Sequence, residues 1–329
     1  MRAALYRRRG PARDVLAIET LPDPAPAAGE VRVRLAYSGV NPSDVKSRAG
    51  TVPRPMEHAY VVPHSDGAGV VDAVGAGVAA EEWLGRRVWV YHAQWGRALG
   101  TAAECVALPV EQAVPLPDGV SFEVGVSLGI PAMTAYHAVV ASGAAPGSTV
   151  LVPGAAGAVG YYATQFARLA GARVIGVVSS DDKAAIARSA GADDIVNYRS
   201  EDLVARVQAL TAGRGVDALI DVDAATHAPR YGELLAFGGR AVVYGSNQPV
   251  ISMPFRPMMM AFATVTFFIV YRLPPEPVRS TLDGITARLR DGSLRHAATA
   301  VYALDDIAAA HEQVERGAGA KVLIRLASA

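Results

Sequence analysis

The stretch Val150–Gly160, VLVPGAAGAVG, decides how this chain folds. Three apolar residues, Val150, Leu151 and Val152, run into the turn Gly154-Ala-Ala-Gly157-Ala-Val-Gly160. A helix-like run follows over Tyr161–Ala170 and stops at Gly171, and Arg173–Val178 reads as a second apolar strand. Strand, glycine turn, helix and strand in this order form the unit that cradles a dinucleotide pyrophosphate. The glycines permit a tight turn and a close backbone approach, and the helix N-terminus offers free N–H groups to an anion. Gly154, Ala155, Ala156, Gly157, Ala158, Val159 and Gly160 are therefore expected to line the phosphates.

Outward from this unit the rhythm persists. Strands are expected at Thr149–Val152, Arg173–Val178, Asp194–Asn197, Ala218–Asp221 and Arg240–Tyr244. The helices between them are expected at Tyr161–Ala170, Asp182–Ala190, Asp202–Thr211 and Arg230–Ala236. Such alternation builds a doubly wound parallel sheet of the Rossmann type. Residues 1–125 read differently. Short strands such as Val31–Ala36, Gly69–Val74, Arg87–Tyr91 and Ala103–Ala107 are separated by Pro/Gly turns. The C-terminal part returns to strand–helix–strand, with a helix at Ala309–Gly317 and a strand at Val322–Leu326 expected to rejoin the first domain. Domains are thus expected at 1–125 plus 295–329, mostly β, and at 126–294, nucleotide-binding.

The whole-chain numbers narrow the function classes. The 329 residues suit two domains, and 51% apolar with 19% charged residues suits a globular core. With 31 basic and 31 acidic residues the formal net charge is zero, which favours neither nucleic acid nor an anionic membrane. The N-terminal MRAALYRRRG lacks an apolar signal core, so a cytoplasmic location is expected. One cysteine, Cys105, allows no intramolecular disulfide. The apolar run Met258–Val270 is too short to span a membrane. It reads as a buried helix end followed by a strand, or as a subunit-interface strand. A homodimer using Val265–Val270 is expected, because an exposed β-branched segment otherwise invites aggregation.

Cofactor choice is read after the second strand. An NAD-binding chain usually places an acidic residue there for the ribose hydroxyls. This chain has Ser179 and Ser180, with Lys183 one helical turn on and Tyr198 after the third strand. Hydroxyls and a lysine suit a 2′-phosphate, so NADPH is expected. Asp181 and Asp182 are read as helix-start residues, with Asp182 as the cap.

Six motifs occur in order: Gly39-Val-Asn-Pro-Ser-Asp44, His64-Ser-Asp-Gly-Ala-Gly69, Gly129-Ile-Pro-Ala-Met-Thr-Ala-Tyr136, the glycine turn, Gly238-Gly-Arg240 and Gly317-Ala-Gly-Ala-Lys321. Together they resemble the zinc-independent branch of the medium-chain dehydrogenase/reductase superfamily, nearest the NADPH:quinone oxidoreductase (ζ-crystallin-like) group. The resemblance implies a Rossmann domain inserted in a GroES-like β-rich domain. It implies a reductase that moves hydride from NADPH to a small quinone or enone.

Asn41 stands where zinc-dependent members place a cysteine ligand, and Ser65 where they place a histidine. With one cysteine, a four-cysteine zinc lobe is impossible, and no metal is expected. Asn41 is the expected catalytic residue, donating to the substrate carbonyl or holding the nicotinamide ribose. The plainer alternative is that Asn41-Pro42 starts a turn. Lys46 and Val52 replace two tyrosines common in the family. Lys46 is expected either at the cofactor or in solvent. Thr134, Gly245, Ser246, Phe268, Ile269, Val270 and Lys321 resemble positions near the nicotinamide. His92 and Trp95 border the expected substrate loop, or are merely half-buried there. Two other functions fit the same motifs: an enoyl-thioester or 2-haloacrylate reductase, and a non-catalytic, crystallin-like NADPH-binding protein.

Overall fold

The computed structural model describes residues 1–51, 55–317 and 319–326; Val52 and Ala318 lie outside them. Seven strands come first: β1 (Arg2–Leu5), β2 (Ala17–Thr20), β3 (Glu30–Val40), β4 (Asp66–Val74), β5 (Arg87–Val90), β6 (Cys105–Pro109) and β7 (Ala113–Pro115). Six follow after residue 130: β8 (Thr149–Pro153), β9 (Arg173–Val178), β10 (Asp194–Asn197), β11 (Val216–Asp221), β12 (Leu235–Val243) and β13 (Thr264–Phe267). The chain closes with β14 (Thr299–Ala303) and β15 (Lys321–Arg325). It divides into two compact units, Met1–Ile130 with Ala298–Ala329, and Pro131–Ala297.

In the first unit the sheet runs β14-β15-β3-β4-β5-β7, with β6 also on β3. β15 pairs antiparallel with β3, setting Val322 opposite Val40. Over residues 31–35 every second residue of β3 turns inward. Val31, Val33 and Leu35 are buried with Val71, Val88 and Val106. This period of two is the pattern of a strand with one face on a core.

In the second unit all six strands are parallel, in the order β10-β9-β8-β11-β12-β13. Leu151, Ile175, Val196, Leu219 and Ala241, one from each of five strands, are buried in one cluster. Unbroken apolar strands are what a sheet covered on both faces requires. The order reverses beside β8, the topological switch point where such sheets bind ligands.

Three local expectations are corrected. The helix expected at Arg230–Ala236 is only Tyr231–Leu234, because Leu235 already opens β12 opposite Val216. The helix expected from Asp182 starts at Asp181, capped by Ser180 rather than Asp182. The Ser180 Oγ accepts from the Lys183 N–H at 3.4 Å, leaving both aspartates in the first turn where the dipole favours them. The run Met258–Val270 does hold a helix end and a strand, but its methionines are not buried. Met259 and Met260 are 55% and 64% exposed, and Phe267 on β13 is 57% exposed. β13 is the last strand of its sheet, so its outer side meets no further strand among the described residues.

Candidate active site

The glycine turn is built by steric exclusion. Gly154 has φ +69°, a conformation that side chains disfavour. A Cβ on Gly160 would collide with the Gly154 carbonyl, so the helix Ala158–Leu169 packs against the turn only without one. The first helical bond runs from the Tyr161 N–H to the Gly157 carbonyl. The N–H groups of Ala158, Val159 and Gly160 therefore have no intrahelical acceptor. Ala155 and Ala156 are buried behind them, and Gly154 and Gly157 are exposed in front. A diphosphate fits this cradle of N–H donors at a positive helix end.

At the end of β9, the Lys183 ammonium donates to the Ser179 Oγ at 3.0 Å. Ser180 follows as the helix cap, its hydroxyl hydrogen still able to donate to an anion. Tyr198 is exposed just after β10, with the Arg199 guanidinium 6.0 Å from its ring centre. Hydroxyls, a lysine and an arginine thus gather at the tips of two adjacent strands. The donor set fits a phosphate monoester.

A third set surrounds a cavity of about 770 Å³ in the same unit. Gly245, Ser246, Phe268 and Ile269 line it, together with His137 and Tyr244. The Phe268 N–H donates to the Val243 carbonyl at 3.1 Å, fixing this backbone beside β12. His137 meets the Phe268 ring edge-on at 4.7 Å between centres, and burial lowers its pKa. Thr134 lies one turn before it on the helix Met133–Ser142 and is buried, as is Val270. Burial of Asp221, at the end of β11, is relieved by Tyr231 Oη at 2.7 Å and His227 Nδ1 at 2.8 Å.

The first unit holds a buried polar network around Asn41. Asn41 follows directly on β3 and is the N-cap of the helix Pro42–Ala49. Its backbone N–H donates to the Asp44 carboxylate at 2.8 Å. The Lys321 Nζ donates to the Asn41 Oδ1 at 2.6 Å and to the Asp66 Oδ2 at 3.1 Å. The Asn41 Nδ2 donates to the same Asp66 oxygen at 2.7 Å, and the Ile130 N–H donates to the other at 2.9 Å. All four side chains are at most 5% exposed. Burial, then the charge of Asp66, pushes the Asp44 carboxyl up to about 7.

A second chain of hydrogen bonds adjoins the first. The Thr101 Oγ1 donates to the Asp66 carbonyl at 2.6 Å, so it must accept from the Ser38 Oγ at 2.8 Å. Ser38 then accepts from the His64 Nδ1 at 2.8 Å. Burial keeps His64 neutral, so its Nε2 accepts from the His311 Nε2 at 2.9 Å. The tautomers of both rings follow from the carbonyl at the end of the chain.

These atoms do not fit a zinc ion. Both ring nitrogens of His64 and both oxygens of Asp66 are occupied, and the Lys321 ammonium already supplies the cation beside Asn41. Among the described residues, no three His, Cys, Asp or Glu side chains are grouped to hold a metal. Lys46 is exposed on its helix. His92 is buried edge-on against Tyr91 at 4.9 Å, and Trp95 is 36% exposed.

Sequence reasoning did not single out His137 or the joint role of Asp44 and Asp66. His137 carries a faint signal, since it lies one turn beyond Thr134 on the same helix. The Lys321–Asn41 contact spans 280 positions and carries no local signal.

A parallel Rossmann sheet with a glycine turn at the N-terminus of its first crossover helix, joined to a β-rich unit, defines a dinucleotide-binding protein of dehydrogenase type. Comparison with known proteins agrees. The family described as "Alcohol dehydrogenase GroES-like domain" matches residues 27–118, and "Zinc-binding dehydrogenase" matches residues 158–286. Human quinone oxidoreductase is 30% identical over 298 residues, covering 90% of this chain and 88% of its own. Quinone oxidoreductase from Thermus thermophilus, solved alone and with NADPH, is 30% identical with a TM-score of 0.83, covering 99% of this chain and 100% of its own. A structure described as an NAD-dependent alcohol dehydrogenase is 30% identical with a TM-score of 0.87, over 99% of this chain and 100% of its own. The chain belongs to the medium-chain dehydrogenase/reductase family, in its quinone oxidoreductase group, and is an oxidoreductase.

Proposed function

We propose that this protein reduces a small quinone or enone with NADPH. The observation that carries the cofactor reading is the Lys183–Ser179 contact at 3.0 Å at the end of β9, where a carboxylate would serve NAD. Gly154–Gly160 holds the pyrophosphate, and Ser179, Ser180, Lys183 and Tyr198 hold the 2′-phosphate. Thr134, Gly245, Ser246 and Phe268–Val270 hold the nicotinamide end. When bound, the dihydronicotinamide supplies a hydride, which is two electrons and one proton.

The protein's own work is binding and electrostatics. Hydride addition to a quinone or enone leaves negative charge on a carbonyl oxygen. Asn41 has two amide hydrogens, and one is committed to Asp66. The other, which also faces the Asp44 carboxyl, donates to that oxygen, which afterwards takes a proton from solvent. One preorganised donor of this kind is worth about 2.7–4 kcal/mol of barrier. No metal enters this scheme.

The test is NADPH consumption with benzoquinone, with a crotonyl thioester and with no acceptor. Fast turnover with benzoquinone supports the reading. Turnover with the thioester alone replaces quinone by an enoyl thioester, and none with any acceptor returns a non-catalytic NADPH-binding protein.

A further inference from the structure

The buried Lys321 is used neither by the fold's apolar core nor by the phosphate sites. It lies at the start of β15, 3% exposed, reaching Asn41 on the neighbouring strand end. A lysine ammonium only donates, and a carboxylate only accepts. The atom of Asn41 facing Lys321 at 2.6 Å must therefore be the carbonyl oxygen, and the atom facing Asp66 at 2.7 Å must be the amide nitrogen. A flipped carboxamide would set N–H against an ammonium and C=O against a carboxylate. Lys321 and Asp66 permit only one orientation.

The surroundings enforce this arrangement. A Cβ on Gly39 would meet the Val126 Cγ1 at 2.5 Å and the Lys321 Cε and Nζ at 3.0 Å, so glycine there leaves room for the valine and the lysine together. The Ile130 N–H holds the far oxygen of Asp66 at 2.9 Å, which fixes the carboxylate plane. The Asp44 carboxylate holds the Asn41 backbone at 2.8 Å. Backbone, carbonyl and amide of Asn41 are each held by a different group.

We propose that Lys321, braced by Asp66, is a positioning residue that orients and polarises the Asn41 carboxamide for the reaction. An amide whose oxygen faces a cation has more acidic N–H groups, and low local dielectric strengthens each link of such a chain. The ammonium thereby supplies, through the amide, the positive charge that a metal would otherwise supply. This rests on the reading of Asn41 as the donor to the developing oxyanion.

The test compares Asn41→Ala, Lys321→Met with Asp66→Asn together, and the unsubstituted protein. The paired substitution removes the buried ammonium together with the carboxylate it bonds, and Asp44, its carboxyl already raised to about 7, is left able to take up a proton rather than stay a lone ion. Melting temperature, NADPH affinity, kcat and KM for benzoquinone are measured. Lys321 as a positioning residue predicts near-normal melting and NADPH affinity for the pair, with kcat down about tenfold or more and KM little changed. Normal kcat in the pair, with Asn41→Ala impaired, overturns the role of Lys321 alone. Normal kcat in Asn41→Ala overturns the reading of Asn41 and this inference with it.

A measurement on the unsubstituted protein holds even where the pair does not fold. The Asn41 side-chain amide, assigned by its loss in Asn41→Ala, is expected to have one proton shifted well downfield of an exposed asparagine's by the bond to Asp66. Both protons at the positions of an exposed asparagine overturn the inference.

Discussion

At Lys183 a single charge decides between two cofactors that differ by one phosphate. Lys183→Ala removes a charge-assisted hydrogen bond worth roughly 1.5–3 kcal/mol when well desolvated. The site is only partly buried, so the lower end applies. NADPH affinity is expected to fall about tenfold while NADH affinity holds, which titration by fluorescence checks. Equal loss of both cofactors would return the ribose to Asp181 or Asp182. Asp44 sets a second expectation at this scale. Its carboxyl is raised from 3.8 to about 7 by burial and by Asp66. The folded state therefore binds a proton that the unfolded state has released, and stability falls as pH rises from about 4 to 7. Asp44→Asn removes this loss. Its melting temperature relative to wild type is expected to rise by a few degrees between pH 5 and pH 8, read by scanning calorimetry. A constant difference across that window would mean that Asp44 is ionised throughout.

Among the elements, the glycine turn was legible because all its causes are local. Strand, turn and helix lie within some twenty residues, and each glycine has a steric reason there. Gly160 admits no Cβ against the Gly154 carbonyl, whereas a Cβ on Gly157 would stand 3.2 Å from the same atom. Gly160→Ala is accordingly expected to cost about 3 kcal/mol or more and to abolish NADPH binding. Gly157→Ala is expected to lower affinity with little loss of stability. Thermal melts with and without NADPH separate the two, and equal damage would contradict this account of the turn. The helix Tyr231–Leu234 was less legible. Propensity extended it to Ala236, but pairing of Leu235 with Val216 prevailed, a tertiary contact outside the local window. The network at Asn41 shows the same limit more strongly. Asn41 and Asp66 could each be suspected from a motif, but Lys321 joins them from 280 and 255 positions away.

For the whole molecule, the unpaired side of β13 has consequences for assembly. Phe267, exposed by 57%, stands on the last strand of its sheet. Such an edge is a template for another strand unless it is covered. A symmetric homodimer through β13 is expected, the commonest closed association, with Phe267→Asp shifting it toward monomer. Light scattering at micromolar concentration checks this against the chain mass of 34.2 kDa. A monomeric wild type would refute it.

The chemistry at this scale rests on one claim, that electrons pass from NADPH to a quinone under the influence of Asn41. The most direct measurement is single-turnover oxidation of bound NADPH by benzoquinone, in wild type and in Asn41→Ala at saturating cofactor. Rapid oxidation is expected in wild type and a rate about a hundredfold lower in the variant, with NADPH affinity unchanged. Equal rates in the two proteins, or no oxidation in wild type, would contradict it.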